Sequence, residues 1–104
     1  MQPIRTAIVD DEPDARDGIR ELLRKDADIV VVGEARTGRE AVALIHDARP
    51  ELVFLDVHMP ELDGFGALAA VQASAMPLVI FVTAYDEHAL RAFEVNALDY
   101  LLKP

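Results

Sequence analysis

Apolar residues alternate along this chain between two rhythms. Ile4 to Val9 is a short run that reads as a strand, and Pro13 to Lys25 follows with Ala15, Ile19, Leu22 and Leu23 on one face at helical spacing. Ile29 to Val32 is a β-branched strand that runs on toward Ala35. Gly38 to Ala48 is a second helix, with Ala41, Leu44, Ile45 and Ala48 inward. Leu52 to Asp56 reads as the third strand and Gly64 to Ala73 as the third helix, carried by Phe65, Leu68 and Val71. Pro77 to Thr83 is a fourth strand, Glu87 to Val95 a fourth helix and Leu98 to Leu102 a fifth strand. No linker, repeat or low-complexity stretch interrupts this order.

Strands that alternate with helices pair in parallel through right-handed crossovers. Near-continuous apolar strands, Leu78 to Val82 above all, suit a sheet covered on both faces. The expected fold is α/β, a doubly wound five-stranded parallel sheet in a single domain, residues 1–104, since 104 residues support one core and not two. In such folds ligands bind outside the carboxyl ends of the strands, where strand order reverses. The last residue of each strand is therefore the place to look for chemistry.

Composition narrows the function classes. Asp and Glu outnumber Lys and Arg by 19 to 10, a formal charge of −9, and a surface of that sign repels phosphate backbones. Direct nucleic-acid binding by this domain is not expected. There is no cysteine, so disulfide and thiolate chemistry are excluded. No apolar run is long enough to span a bilayer and the N-terminus has no secretion-signal pattern, which makes a cytoplasmic protein without a membrane role the expectation.

The strand ends are polar. The first strand stops at Asp10-Asp11-Glu12, the third at Asp56, the fourth at Thr83 and the fifth at Lys103. Helix capping accounts for part of this, because Asp11 ahead of Glu12-Pro13 makes a good N-cap. Capping does not require two adjacent acids together with another acid on a different strand. Carboxylates gathered on one rim repel unless a cation joins them, and hard oxygen ligands suit Mg²⁺. The loop after the first strand also lacks the glycines with which nucleotide folds cradle phosphate, which argues against a nucleotide or flavin cofactor. With a metal held by the acids, Asp56 becomes a candidate nucleophile toward a phosphoryl group. Thr83 and Lys103 would supply a hydrogen bond and an ammonium for its oxygens.

Three segments, IVDDEPDARDGIRELL, LVFLDVHMPELDGFGAL and VIFVTAYDEHALRAFEVNALDYLLKP, resemble the receiver domain of two-component response regulators over essentially the whole chain. The resemblance implies a flavodoxin-like sheet of order 2-1-3-4-5. It implies Asp56 as phosphoacceptor, and Asp10, Asp11 and Asp56 with the backbone carbonyl of His58 as Mg²⁺ ligands. Thr83 and Lys103 become phosphoryl partners, and Thr83 and Tyr100 a switch pair. The phosphoryl donor would be a sensor histidine kinase, and the protein would catalyse only its own phosphoryl uptake and loss. His58 and Tyr85, flanking Asp56 and Thr83, are expected to tune the lifetime of the phosphorylated state. The segment AFEVNALDYLLKP resembles receivers attached to LytTR-type DNA-binding domains, so DNA would be reached through an output domain outside this chain.

Two other classes compete with this reading. An aspartyl-nucleophile phosphatase of the haloacid dehalogenase type usually carries a second Asp two residues after the nucleophile, where this chain has His58. A receiver-shaped scaffold that is never phosphorylated would not need the complete set of acids, Thr83 and Lys103. His46 and His88 lie on predicted helices without a second ligand at metal spacing and are assigned no role. The stretch 86–100 is the expected partner surface.

Only four helices are legible beside five strands, and the family places a fifth helix after Pro104. Such a helix, burying about four large apolar side chains, would contribute on the order of 6–12 kcal/mol. The expectation is a longer regulator, and for these 104 residues alone, self-association through the uncovered face.

Overall fold

The computed structural model describes residues 2–83 and the strand 99–102. The strands are β1 (Ile4–Val9), β2 (Ile29–Ala35), β3 (Leu52–Asp56), β4 (Leu78–Thr83) and β5 (Asp99–Leu102). The helices are α1 (Pro13–Arg24), α2 (Gly38–Ala48) and α3 (Gly64–Ala69), with a 3₁₀ turn at Ala73–Ala75. All five strands are parallel, as the alternation leads one to expect, and ordered β2-β1-β3-β4-β5, the order implied by the resemblance. Strand order reverses between β1 and β3, so the crevice outside their carboxyl ends is the expected ligand position. The predicted helix Glu87–Val95 lies outside the described residues.

Each helix start has a local cause. Pro13 occupies the first turn of α1, where its missing N–H costs nothing. The expected Asp11 cap is not made: Glu12 is the N-cap residue, and its side chain makes no capping bond. The Asp10 carboxylate instead accepts the Glu12 N–H at 2.9 Å, so the acid at the strand end shapes the turn. At α2 the Thr37 hydroxyl accepts the Glu40 N–H at 3.0 Å, and at α3 Asp63 Oδ1 accepts the Gly66 N–H at 2.8 Å.

Three boundaries differ from expectation. Helix α1 ends at Arg24, with Lys25 as its C-cap. Strand β4 starts at Leu78 because Pro77 has no N–H to give a neighbour, whereas the Leu78 N–H bonds Glu51 O at 2.9 Å. The largest difference is α3, which stops at Ala69 rather than Ala73. The Val71 N–H turns back to Leu68 O at 3.1 Å, and the Gln72 N–H is taken by the imidazole Nε2 of His46 on α2, at 3.2 Å. A bond from another helix has replaced the next intrahelical one.

The core divides across the sheet. On one face Ala7, Val9, Val53, Leu55 and Phe81 meet Ala41 and Ile45 of α2 and Phe65 and Leu68 of α3, with the Phe65 and Phe81 ring centroids 4.7 Å apart. Complete burial of one such side chain, Ile45, contributes on the order of 1.5–3 kcal/mol. On the other face Leu52, Phe54 and Val82 meet Ile19 and Leu23 of α1. Ile19 and Leu23, four apart, define the stripe of α1 that touches the sheet. Leu22, expected to share it, is rotated off the stripe and is 69% exposed. Leu78, at the start of β4, is 60% exposed.

Candidate functional site

Parallel register brings the strand-end acids together. Val9 of β1 pairs with Leu55 of β3, so Asp10 and Asp56 are the next residues along two adjacent strands. Both are almost wholly buried, at 0% and 2% exposure, while Asp11 reaches solvent at the head of the following turn. One carboxylate oxygen from each of Asp10, Asp11 and Asp56 lies within 4.8 Å of the others. Three hard, anionic oxygens at that separation, two of them fixed by the sheet, fit a small divalent cation such as Mg²⁺.

Backbone contacts hold each acid in place. The Asp10 N–H donates to Ala35 O of β2 at 3.0 Å, and its carboxylate Oδ1 accepts the Glu12 N–H. The Asp10 carbonyl accepts Nη1 of Arg16, from α1, at 2.7 Å. Asp56 Oδ1 accepts the His58 N–H at 3.1 Å, which folds the chain tightly over the end of β3. Val57 N–H donates to Val82 O at 3.3 Å, and Gly64 N–H to Val57 O at 3.0 Å, so the start of α3 lies directly on the strand end. A Cβ at Gly64 would penetrate the Asp56 carbonyl, which explains a glycine at that position. The His58 residue itself is exposed beside the site.

Behind the acids lies a charged strap. Arg16 Nε is 3.5 Å from Glu34 Oε1, on β2, and Glu34 Oε2 accepts Nη1 of Arg20 at 2.6 Å. Arg20 also contacts Asp17. Hydrogen bonds from Arg20 to Glu34, then to Asp17, raise the guanidinium above its ordinary value. Sequence reading passed over Arg16 and Glu34. The available signal was two arginines four apart on α1 facing a single acid on a neighbouring strand.

Of the residues singled out from sequence, Asp10, Asp11 and Asp56 therefore come together, and the His58 N–H bonds Asp56. Thr83 closes β4, one residue beyond the pair Asp56–Val82. Tyr100 lies in β5, in register with Phe81. Tyr85 and Lys103 lie outside the described residues. His46, assigned no role, holds the chain after α3. Among the described residues no helix is long and apolar enough to cross a membrane.

The model of the response regulator receiver domain family matches residues 6–104. The transcriptional regulatory protein BtsR of Salmonella typhi is 45% identical over 101 residues, covering 97% of this chain and 42% of BtsR. This chain thus spans about two-fifths of that relative. The signal receiver domain of the putative response regulator NarL from Mycobacterium tuberculosis superposes with a TM-score of 0.88 at 32% identity, covering 98% of this chain and 85% of that one. A chain in the crystal structure of the P1 domain of CheA3 in complex with CheY6 from R. sphaeroides matches with a TM-score of 0.83 at 28% identity, covering 100% of this chain and 84% of that one.

Proposed function

This chain belongs to the response regulator receiver domain family, and from that premise we propose that it is a phosphorylation-dependent switch whose phosphoacceptor is Asp56. The observation that carries this reading is the cluster of Asp10, Asp11 and Asp56 oxygens within 4.8 Å at the reversal point of the sheet. Asp10, Asp11, Asp56 and the His58 carbonyl would hold Mg²⁺. When bound, the ion supplies positive charge for the phosphoryl oxygens and offsets the repulsion among the carboxylates.

The protein's own groups account for the rest. An Asp56 carboxylate oxygen attacks phosphorus, and the bond from phosphorus to the donor breaks. The donor is a phosphohistidine of a sensor histidine kinase in the cell, or acetyl phosphate in the test tube. The His58 N–H bond to Oδ1 orients the carboxylate. Thr83 donates to a phosphoryl oxygen and Lys103 places an ammonium against another. Movement of Thr83 toward the phosphoryl group draws Tyr100 with it and alters the surface around 86–100. That change passes to an output domain of the longer regulator. The resemblance of AFEVNALDYLLKP favours a LytTR-type DNA-binding domain, and the name of BtsR, a transcriptional regulatory protein, agrees with an output in transcription. The complex of CheY6 with a P1 domain supports a protein partner at this site. The setting is the cytoplasm.

His58 and Tyr85 flank the approach of water to the acyl phosphate and slow its hydrolysis, so Tyr85→Ala shortens its lifetime. An unchanged decay rate would remove Tyr85 from this role. The central test is intact mass after incubation with acetyl phosphate and Mg²⁺. A gain of one phosphoryl group is expected, abolished in Asp56→Asn and nearly so in Asp11→Ala. A gain that persists in Asp56→Asn overturns the assignment.

A further inference from the structure

We propose that Arg16 is a positioning residue for the acidic cluster, gripping the peptide that joins Asp10 to Asp11 and itself oriented by Glu34. This rests on the reading of Asp10, Asp11 and Asp56 as the Mg²⁺ ligands. The Asp10 carbonyl, held by Arg16 Nη1 at 2.7 Å, belongs to the peptide plane whose N–H is that of Asp11. Fixing that plane sets ψ of Asp10 and φ of Asp11, and with them the direction in which the Asp11 side chain leaves the backbone. Asp10 needs little further help, because it is buried and bonded to β2 and to the following turn. Asp11 reaches solvent and is repelled by the two acids behind it. Without the grip, rotation of that one peptide carries its carboxylate outward into water.

Arg16 is suited to the task by its own constraints. Its side chain is 18% exposed, and Nε lies 3.5 Å from Glu34 Oε1 on β2. A guanidinium offers several donors in a rigid plane, so one end can face Glu34 while another reaches the carbonyl. Glu34 is in turn held by Arg20, one turn further along α1. The strap therefore joins β1, α1 and β2 at the point where the metal ligands leave the sheet.

Position and charge make opposite predictions. Through-space charge alone would have Mg²⁺ bind more tightly when a nearby cation is removed. Positioning requires Mg²⁺ to bind more weakly, and outer-shell partners that orient ligands typically account for on the order of tenfold or more in metal affinity. Titration calorimetry with MgCl₂ on Arg16→Leu should therefore show a dissociation constant raised about tenfold. Arg16→Lys, which keeps the charge and loses the rigid fork, should also weaken binding. Arg24→Leu, which removes an exposed cation paired with Glu21, should leave it unchanged. In metal-free protein, amide exchange at Asp11 and Glu12 should quicken in Arg16→Leu and Arg16→Lys alike. Tighter or equal Mg²⁺ binding in Arg16→Leu overturns the inference. If Arg16→Leu fails to fold, Arg16→Lys decides: wild-type affinity and exchange rates in that variant overturn it. Absence of Mg²⁺ binding in the wild-type protein would overturn both this inference and the reading of the site on which it rests. Binding that is lost in Asp11→Asn but intact in both Arg16 variants would overturn the positioning role alone.

Discussion

Asp10 and Asp56 are adjacent across two parallel strands, one residue beyond the pair Val9–Leu55, and both carboxylates are buried. Two buried acids in that relation destabilise the metal-free fold when both are ionised. Neutralising either should raise the melting temperature in EDTA, by about 4–8 °C for each kcal/mol of repulsion relieved. The wild-type protein should gain about 2.7 kcal/mol when Mg²⁺ reaches about a hundred times its dissociation constant. Asp10→Asn and Asp56→Asn should lose most of that gain. Thermal melts with EDTA and with MgCl₂ check both halves, and variants less stable than wild type in EDTA would show that repulsion is not the governing effect.

Two glycines should respond in opposite ways to alanine. A Cβ at Gly64 would run into the Asp56 carbonyl, which is backbone and cannot yield cheaply. Gly64→Ala should destabilise by about 1–3 kcal/mol and disturb Asp56 as well. Gly18 lies on the exposed side of α1 with nothing within 4 Å of a built Cβ, so Gly18→Ala should stabilise by about 0.5–1 kcal/mol. Urea titrations of the pair distinguish a packing constraint from helix propensity.

Leu22 and Leu78 are more than half exposed in the described structure, alongside a modest cluster of Leu52, Phe54 and Val82. Exposed large apolar side chains favour self-association. The 104-residue chain should show a mass that rises with concentration in sedimentation equilibrium, and Leu22→Lys with Leu78→Lys should reduce it. A strictly monomeric wild-type chain across that series would refute the idea.

Glu40 carries the clearest acid dependence. The Arg36 backbone N–H, followed by its side chain, holds the Glu40 carboxyl below its ordinary range. A carboxyl lowered in the folded state contributes stability above its unfolded pKa, and the contribution disappears as pH falls through the folded value. Glu40→Gln should therefore be less stable than wild type at neutral pH, with the gap closing on acidification. Because the pair is exposed, high salt should narrow the gap as well. Melting temperatures at neutral and acid pH, with and without salt, measure both effects.

Much of this protein was determined by its sequence alone. Short apolar runs such as Ile4–Val9 and the helical spacing along Pro13–Lys25, repeated down the chain, sufficed for the order of the described strands and helices, because such patterns are local. Parallel pairing followed from the alternation, and the strand-end acids from reading where each apolar run stops. Tertiary structure decided what depends on residues far apart in the chain. The Val9–Leu55 register sets Asp10 beside Asp56, since a slip of one residue would turn one carboxylate to the opposite face. The Gln72 N–H met His46 on another helix, so α3 ended four residues early although its alanines favour continuing. Arg16 found the Asp10 carbonyl and Glu34 through the packing of α1 on β2, and Leu22 was left outside by the same packing. Periodicity states which face of an element is apolar. Contact between elements depends on their relative rotation and depth, and only the folded chain sets those.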